Sequence, residues 1–189
     1  MTDITIYSGE NPPPAKVFDS LYELTEISFP ACERRTKAEH FAEYEHTQFR
    51  SLCYCPNGNL AGYMNYWEMD EFIYLEHFAV SPELRGKGIG AAMAEELKKL
   101  SCGLIVLEAE PSEQSGTAKR RTGFYERLGF TVNPYDYIQP PISGNQPPVL
   151  LRLMTYPRAI SQSEYLNIRR DLYSHVYGVG SDWKCSLDE

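Results

Sequence analysis

The chain has 189 residues, with 42% hydrophobic and 23% charged, the profile of one globular domain with its own core. No apolar run reaches the roughly 18 residues of a membrane span, and the N-terminal MTDITIYSGE lacks the build of a secretory signal, so a cytoplasmic protein is expected. A net charge of -8, from 26 acids against 18 bases, speaks against a nucleic-acid partner, which needs clustered Lys and Arg, and favours cationic partners such as small amines.

Pro12, Pro13 and Pro14 end a short N-terminal segment. Val17, Leu21, Leu24 and Ile27 then recur at helical spacing, and Pro30 closes that helix. Thr36 with Glu39 reads as a capping box for a second helix running to about His46. On that helix His40, Glu43 and His46 have a superficial likeness to metal-ligand spacing. Residues i and i+6 do not align on a helix, however, so a solvated face is expected and no metal. Phe49–Cys55 and Leu60–Glu68 read as strands joined by the turn Pro56-Asn57-Gly58-Asn59. The five cysteines, at 32, 53, 55, 102 and 185, include no CxxC and read as reduced thiols.

Phe72–Val80 is a strand apolar on both faces, and Leu104–Leu107 is a second continuous apolar run. Alternation puts Phe72, Tyr74, Phe78 and Val80 on one face with Glu76, and Ile73, Leu75 and Ala79 on the other. His77, on the face opposite Glu76, reads as a structural histidine. The helix Ile89–Leu100 between the two runs completes a strand–helix–strand unit, expected to be parallel and right-handed. A further helix over Ala118–Leu128 stops at Gly129. Thr131–Ile138 and Val149–Tyr156 follow as the last strands. Ser161 with Glu164 caps a helix in the tail, whose Leu166, Ile168, Leu172, Tyr173, Val176 and Tyr177 supply apolar surface. The expected organisation is a domain over residues 1–157 and a helical extension over 158–189, docked on the same domain or on a second subunit, with a homodimer left open.

The chemistry concentrates in residues 76–90, where a buried strand runs into a loop holding Arg85, Gly86, Lys87, Gly88 and Gly90 and opening a helix. Glycines let backbone N–H groups close around an anion, and the helix N-terminus adds partial positive charge. This is a pyrophosphate cradle. A Walker loop is excluded, because no Gly-Lys is followed by Ser or Thr. A dinucleotide fingerprint fits formally as Gly86-x-Gly88-x-x-Ala91, with Glu108 about 20 residues on. Five residues separate Val80 from Gly86, however, and too little chain follows for a six-stranded domain.

Arg85-x-x-Gly88-x-Gly90, after a strand ending in Ala79-Val80, resembles the acyl-CoA-binding motif of the GNAT superfamily of N-acetyltransferases. Gly123-Phe-Tyr-Glu-Arg-Leu-Gly-Phe130 resembles that superfamily's later helix and the start of the next strand. The resemblance covers roughly residues 16 to 157. Ala118 and Arg121 depart from the Asn and Ala common there, which bears on one contact to the pantetheine arm and not on the cradle.

The resemblance implies a mixed, mostly antiparallel α/β sheet with a central parallel strand pair flanked by helices, plus the C-terminal helical tail. It implies transfer of acetyl from acetyl-CoA to an amine of a small molecule or peptide by direct attack, with no metal, nucleic acid or membrane involved. The backbone of Phe78, Ala79 and Val80 would meet the pantetheine and the thioester carbonyl. Arg85, Gly86, Lys87, Gly88, Ile89 and Gly90 would hold the pyrophosphate, and Tyr125 stands at the general-acid position. The base stays open between Glu76, Glu108 and water. Glu76 shares a largely apolar face that would raise its pKa, and Glu108 sits much as the proposed base does in the ribosomal-protein branch. A cysteine acyl-enzyme through Cys102 is not required by direct transfer. The alternative is a non-catalytic acyl-CoA-binding sensor.

Overall fold

A computed structural model describes residues 3–143, 146–180 and 182–184; Cys185 lies outside them. The chain divides into two compact units, Met1–Val106 and Leu107–Glu189. The first holds β1 (Ile4–Tyr7), α1 (Ala15–Ser28), α2 (Lys37–Ala42), β2 (Phe49–Tyr54), β3 (Gly62–Glu68), β4 (Phe72–Val80) and α3 (Ile89–Leu100). The strand β5 (Leu104–Ala109) begins in the first unit and ends in the second. The second unit continues with α4 (Gly116–Arg127), β6 (Thr131–Val132), β7 (Tyr137–Gln139), β8 (Val149–Tyr156) and α5 (Gln162–His175). The strands are mostly antiparallel with one parallel pair, the mixed α/β class expected. None of the described helices is long and apolar enough to cross a membrane.

In the first unit β1, β2, β3 and β4 pair in that order, each antiparallel to the next. Thr36 caps α2 as the sequence predicts, accepting from the Glu39 N–H while the Glu39 carboxylate returns to the Thr36 N–H. The same reciprocal device opens α5 with Ser161 and Glu164. On the sheet face covered by α1, Leu21, Leu24, Cys53, Tyr63 and Ala79 form one buried cluster. On the other face Gly62 leaves room for α3, since a Cβ there would stand 3.0 Å from Met93 Sδ.

The strand β4 departs from simple alternation. Asn65 pairs with His77, but Tyr66 pairs with Leu75, so Glu76 is an extra residue with no partner on β3. This is a β-bulge, and a bulge resets which side chains share a face. Since paired residues share a face, Tyr74, His77 and Ala79 lie together with Trp67, Asn65 and Tyr63. Phe78 and Val80 lie with Met64 and Gly62 on the α3 face. The expected grouping of Tyr74 with Phe78 and Val80 is thereby corrected.

In the second unit the single strand predicted over Thr131–Ile138 is two short ones, β6 and β7, both antiparallel to β8. Asn133 interrupts it. Its buried amide donates to Leu153 O and Thr155 Oγ1, each at 3.0 Å, and its oxygen accepts from the Ile160 N–H at 3.0 Å. Pro134, which follows, has no N–H to give a ladder. The helix α5 buries Tyr165, Ile168, Leu172 and Tyr173. Tyr165 donates to Asp136 O and Tyr173 to Ile138 O, which ties the tail to the segment around β7.

Candidate active site

The glycine loop lies entirely in the first unit. After β4, a single 3₁₀ turn (Pro82–Leu84) delivers Arg85, whose Nε donates to Val80 O at 2.9 Å. Gly86 (φ 76°) and Gly88 (φ 79°) are both left-handed, a conformation that costs other residues energy. A Cβ on either would meet nothing within 4 Å, so backbone conformation, and not crowding, calls for glycine. Gly88 is the N-cap of α3, and the first i→i−4 bond runs from Ala92 N to Gly88 O at 3.0 Å. The N–H groups of Ile89, Gly90 and Ala91 therefore have no intrahelical acceptor. No acid stands in the first turn of α3, and the exposed Arg85 and Lys87 flank it. The arrangement presents unspent donors and positive charge to an anion.

Glu76 lies on the opposite side of the sheet from Phe78 and Val80, and its setting is not the apolar one expected. Its side chain is 3% exposed and ion-paired to Arg35 Nη1, and Trp67 Nε1 donates to its other oxygen at 3.0 Å. Burial would raise its pKa, but the Arg35 charge, His77 and the two hydrogen bonds outweigh it and hold the carboxyl below its ordinary range. Arg35 Nε also reaches Glu43 Oε1 at 2.7 Å. Burial raises Glu43, against the pull of Arg35. His77 shares a face with Glu76 because of the bulge, with Nδ1 4.0 Å from Glu76 Oε2 and Nε2 on Glu33 O at 2.9 Å. Burial lowers its pKa, against the pull of Glu76, in keeping with a structural histidine.

The face expected to be solvated is buried at His40 of α2 and half-buried at Glu43, just past the helix end. His40 is 3% exposed and its Nε2 lies 2.7 Å from Asn65 Nδ2. Asn65 Oδ1 accepts from Ser51 Oγ at 2.7 Å, and Ser51 meets the Tyr44 hydroxyl at 2.6 Å. An amide nitrogen only donates, so His40 Nε2 accepts, and burial drops the His40 pKa to about 3. Only His46 faces solvent. Sequence spacing misses this because the partners lie on β2 and β3.

Tyr125 and Glu108 belong to the second unit. Ser115 caps α4 by accepting from the Ala118 N–H, and Gly129 (φ 87°) follows its end. Tyr125 is 8% exposed, with its ring against Phe124 and Phe130. Burial pushes its hydroxyl up to about 12, against the pull of Arg121. Glu108 stands near the C-terminal end of β5, and the Tyr177 hydroxyl donates to its carboxylate at 2.9 Å and 2.8 Å from the two oxygens. Tyr177 enters the sequence reading only as apolar surface, since nothing local marks a tyrosine in a tail as a carboxylate's partner.

Residues 18–130 match the acetyltransferase (GNAT) family model. The chain belongs to that family. A Bacteroides thetaiotaomicron protein assigned to the GNAT acetyltransferases is 32% identical, with a TM-score of 0.83 over 93% of this chain and 98% of that one. YjbC of Bacillus subtilis (strain 168), assigned as an acetyltransferase, is 27% identical over 82% of this chain and 80% of its own length. An aminoglycoside 6'-N-acetyltransferase solved with coenzyme A has the same fold at 17% identity, with a TM-score of 0.58 over 80% of this chain and 94% of that one. This GNAT acetyltransferase thus carries its glycine loop inside the matched span, whereas α5 and Tyr177 lie outside it.

Proposed function

We propose that the chain transfers acetyl from acetyl-CoA to a primary amine of a small molecule or peptide by direct attack. The observation that carries this reading is the glycine loop at the head of α3, with left-handed Gly86 and Gly88, unspent N–H groups and two adjacent cations. These groups suit the pyrophosphate of coenzyme A, the ligand of the aminoglycoside enzyme of the same fold. Arg85 to Gly90 hold the pyrophosphate, and the backbone of Phe78, Ala79 and Val80 meets the pantetheine arm and the thioester carbonyl.

The amine nitrogen forms a bond to the carbonyl carbon, the C–S bond breaks, and the thiolate leaves. Tyr125 serves as acid. Its raised pKa keeps it protonated across the working range, so the donor is always present. Glu108 takes the proton that the substrate ammonium gives up to become the free amine that attacks, and the second proton, shed once the C–N bond has formed, balances the one that Tyr125 gives to the thiolate. We favour Glu108 over Glu76 because the Glu76 carboxylate is held by Arg35 and Trp67 and its proton affinity is low. Glu76 instead anchors Arg35, in the segment between α1 and α2.

The test is CoA release from acetyl-CoA across a panel of amines, with calorimetry of CoA against NAD. Turnover of an amine together with CoA binding supports the reading. Tight NAD binding without CoA binding would overturn it.

A further inference from the structure

The tail carries three tyrosines whose hydroxyls bond within the second unit, and they differ in what they bond to. Tyr165 and Tyr173 donate to the backbone carbonyls of Asp136 and Ile138, which satisfies buried polar groups and fixes α5 in place. Tyr177 donates to a side-chain carboxylate, that of Glu108, nearly equidistant from both oxygens at 2.9 Å and 2.8 Å. A donor so placed fixes the plane of the carboxylate and favours its charged form. The helix end holds Tyr177 there. Val176 N and Tyr177 N both bond to Leu172 O, Val179 N bonds to Tyr173 O, and Gly178 between them is left-handed at φ 63°, a glycine-terminated cap.

From this geometry we propose that Tyr177 is a positioning residue for the base, through which the C-terminal tail orients and tunes the Glu108 carboxylate. The inference rests on the reading of Glu108 as that base. Of the other charged groups near this end of β5, Glu110 pairs with Arg121 of α4 at 3.2 Å and Arg152 of β8 with Asp136, while Glu113 accepts from Ser112 Oγ at 3.3 Å. Tyr177→Phe removes one oxygen and leaves those pairs in place.

The experiment measures kcat/KM against pH for the full chain, with an amine found in the screen. Wild type, Tyr177→Phe, Glu108→Gln, the double variant and Tyr165→Phe are compared. Losing a donor to the charged form raises the pKa of Glu108, so the acid limb of Tyr177→Phe moves up by about one pH unit, with KM for acetyl-CoA unchanged. Glu108→Gln abolishes that limb, and adding Tyr177→Phe to it changes the rate by less than about twofold, because the two act as one unit. Tyr165→Phe lowers thermal stability and leaves the limb where it is. Carboxyl carbon NMR of Glu108, identified by its loss in Glu108→Gln, reads the same shift without turnover. If Glu108→Gln removes the limb while the limb and the carboxyl titration of Tyr177→Phe coincide with wild type, the role of Tyr177 is overturned and that of Glu108 stands. If Glu108→Gln keeps the limb, the base reading fails and the proposal fails with it.

Discussion

Arg35 carries one positive charge and is in contact with two carboxylates, Glu43 and Glu76, in a site where its own side chain is 7% exposed. Their pKa values move apart: that of Glu76 is held down and that of Glu43 is pushed up. Glu76 therefore contributes stability that is complete above an unfolded pKa of about 4.3 and is lost as pH falls through its folded value. Glu43 has the opposite sign. The folded chain binds its proton more tightly, so this contribution weakens as pH rises through the interval between its unfolded and raised folded values. Arg35→Gln should cost about 3–5 kcal/mol, the usual range for a buried pair that loses one partner. That loss should be largest at alkaline pH, where both acids are charged. Glu43→Gln should cost much less and flatten the profile near neutrality. Urea unfolding across about pH 5 to 9 checks both, and equal costs would mean that the two carboxylates do not share the guanidinium. For catalysis, Tyr125→Phe should leave CoA binding intact and lower the rate by roughly 10²–10⁴-fold. Single-turnover measurement with saturating acetyl-CoA reads this directly, and an unchanged rate would return the acid role to solvent.

The elements divide by how their information is written. The bounds of β4, α3 and β8 coincide with the sequence reading, because each is a long apolar pattern bounded by turn residues. The glycine loop was legible for the same kind of reason, a run of residue types with few structural uses. The bulge was not legible. Alternation in β4 looks regular until β3 fixes the register, and a single extra residue in that register, Glu76, then moves His77 to the side of Trp67. The Arg35–Glu43–Glu76 group and the Tyr177–Glu108 contact join residues 8 to 69 positions apart in sequence (35 to 43, 108 to 177), beyond the reach of local spacing. At the loop itself, Gly88→Ala imposes a Cβ at φ 79° with no steric contact within 4 Å. Its cost is conformational, roughly 1–2 kcal/mol. If the loop must hold this shape to bind CoA, affinity should fall by about 5- to 30-fold while helix content stays as it was. Calorimetry with CoA and far-ultraviolet dichroism separate these, and unchanged affinity would place the anion site elsewhere.

For the whole molecule the open matter is whether the tail after residue 157 is an appendage or part of the fold. We propose the second, and the contacts of the second unit support it. Tyr165, Ile168, Leu172, Tyr173 and Val176 are each at most 7% exposed, and burying an apolar side chain of this size stabilises by about 1.5–3 kcal/mol. Five of them rival the roughly 5–15 kcal/mol that holds a whole domain folded. Conformational entropy offsets much of that gain on folding. Truncation still removes the cover from Tyr137, whose ring packs on Tyr173, and takes the hydroxyls from Asp136 O and Ile138 O. A chain ending at residue 157 should therefore lose protection from hydrogen exchange throughout β6, β7 and β8, and lose activity with it. The same truncation separates the two expectations for the tail. A segment that served chiefly to bind a second subunit would leave, on removal, a monomer with native exchange protection. A segment that completes its own unit would leave a chain whose second half exchanges quickly. Hydrogen exchange read by mass spectrometry, beside sedimentation of the intact chain, measures both, and native protection in the truncated chain would reduce the tail to an accessory.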